Sequence, residues 1–165
     1  MQHLRVIAVL IMSIALFGCG FHLRHSQSHL GAKYPAIVLP PSGSNTLYQA
    51  IYRALLSSSV NVQDSSNIAG TPRLVILSQQ LTQQPLVYGP DAELRRERLR
   101  MSVVFSFDDA RDNTAKREFE LATERDRQLN SKQHLGDNAE KIIIEQEMQA
   151  DIVSQLIRYL ASRPV

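Results

Sequence analysis

The stretch LRMSVVFSF, residues 99–107, decides how this chain of 165 residues folds. Every odd-numbered position in it is apolar, and the even-numbered positions are arginine or serine except for Val104. Successive side chains of a strand point to opposite faces of its sheet, so this alternation predicts a strand with one buried face and one polar face.

The sequence on either side of this strand predicts an α+β domain. Residues 108–114 have the composition of a turn, and the following segment predicts a hairpin partner. The predicted elements are strand 36–39, helix 44–56, strand 74–81, strand 99–107, strand 116–127 and helix 137–163, whereas residues 57–71 are too polar for the core. This order predicts a two-layer sandwich, with two helices packed on one face of a four-stranded, mostly antiparallel sheet.

The chain begins with the features of a bacterial signal peptide. Arg5 supplies positive charge, and residues 6–17 form an apolar run shorter than the ~20 residues that span a bilayer. The sequence LFGC at 16–19 resembles a lipobox, so we expect residues 1–18 to be cleaved and Cys19 to be lipidated. There are two alternatives to lipidation. The segment could be an uncleaved signal anchor with an incidental cysteine, or the protein could be secreted with an unpaired thiol.

Lipidation of Cys19 would place a diacylglyceryl group on its sulfur and an acyl group on its new amine, and no other cofactor is expected. Two or more chains hold a protein durably at a membrane. Residues 19–33 then form a polar tether and residues 34–165 a single domain. Gly20, where an aspartate would favour the inner membrane, points to the outer membrane.

The small net charge of the chain argues against a protein that binds nucleic acids in general. The 18 basic and 16 acidic residues give a formal charge of +2, and loss of Arg5 leaves +1. Cys19 is the only cysteine, so no disulfide forms within the chain.

No group of residues in the sequence predicts catalysis. Three histidines have spacing that could ligate a metal, but they lie in the expected tether: His22, His25 and His29. Three aspartates resemble part of a calcium loop that lacks its glycine and final glutamate: Asp108, Asp109 and Asp112. His134 could be a lone base, yet no motif places a nucleophile beside it, so we expect no enzyme activity.

Arginines precede and enter the central strand. Strand geometry puts Arg96, Arg98 and Arg100 on one face, each ~6.6 Å from the next, and arginine binds phosphate bidentately. In a Gram-negative envelope the matching polyanion is the phosphorylated part of lipopolysaccharide. The alternative is a solvated face, in which this arginine row pairs with acidic residues of the next strand: Glu118, Glu120 and Glu124.

Two segments resemble a known family. CGFHLR at 19–24 is similar to the Cys-Gly-Phe-x-Leu-Arg start of the LptE family of lipopolysaccharide-assembly lipoproteins, and EMQADIVSQLIRYL at 147–160 to its closing helix. The resemblance implies an outer-membrane lipoprotein on the periplasmic side. It would form a 1:1 heterodimer with the β-barrel LptD, plug its lumen, help it assemble and bind lipopolysaccharide.

One departure from the family concerns the ligand site. Members that bind lipopolysaccharide have basic residues near the loop before the closing helix, including a lysine directly before an Asp-Asn pair. In this chain Gly136 occupies that position, and the nearest basic residue is Lys132. The candidate lipopolysaccharide contacts therefore rest on charge and spacing alone: Arg96, Arg98, Arg100 and Lys132. The alternative function is a non-catalytic, periplasm-facing lipoprotein that scaffolds another envelope assembly machine.

Overall fold

The structure is a computed structural model that describes residues 30–41, 46–64, 70–109, 117–129 and 134–163, with the backbone alone for 134–137. Its helices are α1 (Leu30–Lys33), α2 (Thr46–Ser57) and α3 (His134–Ser162). Its strands are β1 (Ala36–Val38), β2 (Asn61–Gln63), β3 (Arg73–Tyr88), β4 (Leu94–Asp108) and β5 (Arg117–Gln128).

The strands form one sheet in the order β2-β1-β3-β4-β5. Strand β1 runs parallel to both of its neighbours, whereas β3, β4 and β5 are antiparallel. The long β3–β4–β5 part therefore has the hairpin connections predicted for it, and β1 joins it through a crossover that contains α2.

The α+β class is confirmed, but the predicted count of four strands and two helices is wrong for the described residues. The fifth strand, β2, lies within residues 57–71, whose polarity had excluded it from the core. An edge strand of three residues needs few buried side chains, so polarity does not prevent it from pairing with β1.

The extra helix, α1, lies in the range expected for the tether. Leu30 is fully buried, and the Lys33 ammonium donates hydrogen bonds to the carbonyls of Leu160 and Ala161, both at 3.2 Å, and to that of Arg163. These carbonyls lie at the C-terminal end of α3, where backbone acceptors lack partners within the helix. The last four residues of the expected tether are therefore part of the packed domain.

The core lies between the helices and one face of β4. All five odd-numbered residues of the opening stretch are at most 1% exposed, as predicted: Leu99, Met101, Val103, Phe105 and Phe107. Helix α3 buries the side chains spaced four apart from Met148 to Leu160, and α2 buries Leu47, Ile51 and Leu55. The apolar periodicities thus identify the buried faces correctly.

The hairpin of β3 and β4 is longer than predicted. Strand β3 was expected to end at residue 81 and β4 to begin at 99, but pairing continues to Tyr88 and Leu94. Residues 82–88 are exposed, so their sequence carries no periodic apolar signal. Backbone hydrogen bonds between the strands extend the hairpin where burial does not.

Candidate functional site

The face of β3, β4 and β5 that points away from the core is the candidate functional surface, which we call the open face. Its polar side chains from β3 are Ser78, Gln80, Thr82 and Gln84. Those from β4 are the arginine row, Ser102 and Ser106, and those from β5 are Glu118, Glu120, Glu124, Asp126 and Gln128. The open face is polar because residues of one parity lie on it and residues of the other parity form the core.

The arginine row is bound to the acidic residues of β5. Arg98 makes a bidentate contact with Asp126, at 2.7 Å from Nε and 3.2 Å from Nη2. Arg96 Nη2 lies 3.2 Å from Asp126 Oδ2, and Arg100 Nη1 lies 2.7 Å from Glu124 Oε1. Arg100 is also 3.7 Å from Glu120. We call these contacts the ladder.

The ladder corresponds to the alternative considered for the arginine row, with one change of partner. Glu120 and Glu124 take part as that alternative expected, but Asp126 makes the closest contacts to Arg98 and had not been considered. Glu118 lies opposite Ser106 in the register, beyond the arginines. Antiparallel pairing sets these neighbours, and the sequence does not show which residues lie opposite each other.

Electrostatics on the open face follow from these pairs. The hydrogen bond from Arg98 holds the pKa of Asp126 below its usual value, and the same bond raises the pKa of Arg98. Three arginines face four carboxylates, so the surface lacks the excess positive charge that the isolated row suggested. The three arginine side chains remain 39–49% exposed, and their guanidiniums keep donors that the ladder does not use.

Acid titration tests the ladder directly. Because the pKa of Asp126 is lower in the folded state than in the unfolded state, its carboxylate stabilises the fold above about pH 4. This stabilisation is lost as the pH falls through the folded-state pKa. We expect Arg98→Gln to raise the pKa of Asp126 towards its usual value and to shrink this acid-dependent loss. Carboxyl-detected NMR titration measures the shift, with Arg53→Gln on α2 as the control. An unchanged Asp126 titration in Arg98→Gln would contradict the geometry.

Most other predicted site residues lie outside the described part of the chain. These are Cys19, the three N-terminal histidines, Asp112 and Lys132. His134 begins α3, and its side chain is not described. Asp108 is exposed and Asp109 is buried. Within the described ranges, no three histidine, cysteine, aspartate or glutamate side chains are grouped so as to hold a metal ion.

The sequence reading missed a buried ion pair on the core-facing side of the same strands. Arg127 Nε donates to Glu97 Oε1 at 2.6 Å, and the two residues lie opposite each other in the register. Their side chains are 7% and 6% exposed. The alternation of the strands could have revealed this pair. Glu97 and Arg127 are at odd-numbered positions, which lie on the core-facing side of both strands, so each is a charge in an apolar pattern.

Two further features lie outside the ladder, although Val87 is opposite Arg96 in the register and shares its face. Near the β3–β4 turn, Leu86, Val87 and Tyr88 are 37%, 44% and 61% exposed. A groove of about 510 Å³ between α2 and α3 is lined by residues that include Ala50, Arg53, Ile142, Gln146 and Gln149. The groove has mixed polarity, and none of the predicted site residues lines it.

The fold and the open face define a small α+β domain whose sheet has an apolar face against the helices and a polar face of paired charges. No helix in the described ranges is long and apolar enough to cross a membrane. The model of the LptE family, described as lipopolysaccharide-assembly, matches residues 34–160. The chain belongs to the LptE family.

Solved structures share this fold. Rare lipoprotein B from Shewanella oneidensis is similar with a TM-score of 0.69 and 19% identity, over 77% of this chain and 94% of that one. Lipoprotein B from Nitrosomonas europaea has a TM-score of 0.67 and 20% identity, over 87% and 91%. A minor lipoprotein from Acinetobacter baumannii has a TM-score of 0.62 and 21% identity, over 78% and 92%. A comparison with curated proteins finds no significant match.

Proposed function

We propose that this chain is a non-catalytic outer-membrane lipoprotein that plugs an LptD-type β-barrel, helps it assemble, and binds lipopolysaccharide during transport to the outer leaflet. The observation that carries the proposal is the match of a lipopolysaccharide-assembly family over residues 34–160. The lipid on Cys19 would hold the domain at the periplasmic side of the membrane, where it could meet the barrel.

The open face supports the plug role on physical grounds. The interior wall of an outer-membrane barrel is polar, so an insert needs a surface that is polar without a large excess of one charge. The ladder meets this requirement, because its arginines and carboxylates are already paired. Amides and hydroxyls of β3 continue the same surface and supply neutral donors and acceptors.

Co-purification tests the plug role. We expect the affinity-tagged full chain, extracted in mild detergent, to bring down a large β-barrel protein in about 1:1 ratio. A Cys19→Ala form that is exported separates delivery from retention, because the barrel interface should hold the domain without its lipid. Recovery of a different envelope complex, with no large barrel, would favour the scaffold alternative and contradict the plug role.

The arginine row supports lipopolysaccharide binding in the following way. Its exposed guanidiniums would release the carboxylates of β5 and bind the phosphates of lipopolysaccharide in their place. We expect reversal of Arg96, Arg98 and Arg100 to glutamate to weaken lipopolysaccharide binding by about tenfold or more at fixed salt, since repulsion between like charges replaces charge-assisted hydrogen bonds to phosphate. The matched control is the swap Arg98→Asp with Asp126→Arg, which keeps the net charge and an ion pair. Unchanged binding after the triple reversal would leave the row a purely structural part of the ladder.

A further inference from the structure

The outer edge of β5 is a long strand edge beside α3. Strand β5 has 12 residues and ends the sheet on one side, whereas β2 on the other side has three. The amide of Leu129 donates to the carbonyl of Arg95 at 2.9 Å, which shows that odd-numbered residues here bond to β4. Since successive residues alternate, even-numbered residues of β5 direct their amides and carbonyls outwards.

Two of these outward carbonyls are occupied by side chains. Gln155 Nε2 of α3 donates to the carbonyl of Ala122 at 3.4 Å, and Arg125 Nη1 donates to that of Glu124 at 2.9 Å. Arg125 is in turn bound to Asp151 of α3. We call Gln155, Arg125 and Asp151 the latch, because an added strand would need the same carbonyls as acceptors.

Charge along the edge distinguishes the strands that could add to it. Antiparallel pairing of two copies centred on Ala122 would place Glu120 opposite Glu124 and Glu118 opposite Asp126, and like charges that face each other destabilise a sheet. A second copy is therefore a poor partner in this register. The four carboxylates of β5 outnumber the three arginines of the row, so an added strand with cationic side chains on the open face would gain favourable pairs.

We propose that the outer edge of β5 is a strand-addition surface for an extended segment with lysine or arginine at every second position, and that the latch controls access to it. Main-chain hydrogen bonds to the even-numbered residues provide the attachment, and the cationic side chains provide the selection. The latch side chains are about two-fifths exposed at Arg125 and Asp151, so they can move aside without disturbing the core. The selecting carboxylates include those that the arginine row binds, whereas the main-chain attachment lies on β5 and does not depend on the plug role.

A peptide-binding measurement tests the proposal. The probe is a fluorescein-labelled Lys-Thr-Lys-Val-Lys-Thr-Lys peptide with blocked ends, and the comparison is between wild type and Arg125→Met with Gln155→Leu. We expect the double variant to bind about tenfold more tightly than wild type, because no hydrogen bond must be broken first. Hydrogen exchange should slow at the amides of Glu120, Ala122 and Glu124 when the peptide is added.

Matched controls make the outcome specific. Arg53→Met with Gln146→Leu changes the same residue types in the α2–α3 groove and should bind as wild type does. A peptide with glutamate in place of lysine should not bind. If the double variant does not fold, Asp151→Asn releases Arg125 with little change of volume and should show the same direction. Equal affinity for wild type and latch variants, or protection of amides away from β5, would overturn the proposal.

Discussion

Replacing Arg127 by methionine is expected to lower the free energy of unfolding by about 3–5 kcal/mol, because the change leaves Glu97 as a buried charge without its partner. Both side chains are less than a tenth exposed, and their atoms approach to 2.6 Å. The pair joins β4 to β5 near the end of β5, on the face that packs against the core. Urea unfolding followed by circular dichroism measures the effect.

The exposed pair on the opposite face of the same strands provides the control. Arg98→Met removes a contact that solvent screens, so we expect it to lower the free energy of unfolding far less than Arg127→Met does. Replacing both residues, with Glu97→Leu and Arg127→Met, should recover most of the lost stability, because neither member of the pair is then left as a single buried charge. If Arg127→Met and Arg98→Met lower the free energy of unfolding equally, burial of the Glu97–Arg127 pair does not affect stability and the prediction is wrong.

Phe105→Ala is expected to destabilise the domain by about 3–5 kcal/mol, the range for deleting a large buried aromatic side chain. Phe105 is fully buried near the C-terminal end of β4. Its ring lies 5.6 Å from that of Phe119 on β5, which stacks at 4.0 Å on Tyr159 of α3. The substitution therefore removes both core volume and the first ring of a series that joins the sheet to the closing helix.

Two further variants separate cavity formation from a general effect of substitution. Phe105→Leu keeps much of the volume and should cost clearly less than Phe105→Ala. Tyr88→Ala, at a site 61% exposed, should change the free energy of unfolding by less than about 0.5 kcal/mol. Thermal and urea unfolding of the three variants measure these differences. A Phe105→Ala cost close to that of Tyr88→Ala would mean that the assigned core face of β4 is wrong.

Burial periodicity was the part of the structure that the sequence predicted well. The alternation at 99–107 and the spacing of Met148, Ile152, Leu156 and Leu160 identified the faces that meet in the core. Elements with little buried apolar surface were missed or shortened: α1, β2 and residues 82–88 of β3. Their hydrogen bonds and docking partners come from distant parts of the chain, so no local pattern records them.

The candidate site shows the same division. Sequence alternation placed Arg96, Arg98 and Arg100 on one face, and the structure places them there. It did not show that Asp126 lies beside Arg98, or that the outward carbonyls of β5 meet Gln155 and Arg125. These contacts depend on the register of β5 against β4 and on how α3 crosses β5, and a shift of one residue would change every neighbour.

The sequence by itself determined the α+β class, the buried faces of β4 and α3, and the resemblance to a lipopolysaccharide-assembly family that the match over residues 34–160 bears out. Periodicity is a local property that burial imposes on each element, so it can be read without knowing what the element packs against. Only the tertiary structure decided that the arginine row is neutralised, that Glu97 and Arg127 are buried together, and that β5 has a latched edge. Net charge and hydrogen-bond access depend on which residues become neighbours across strands, and folding alone sets those distances.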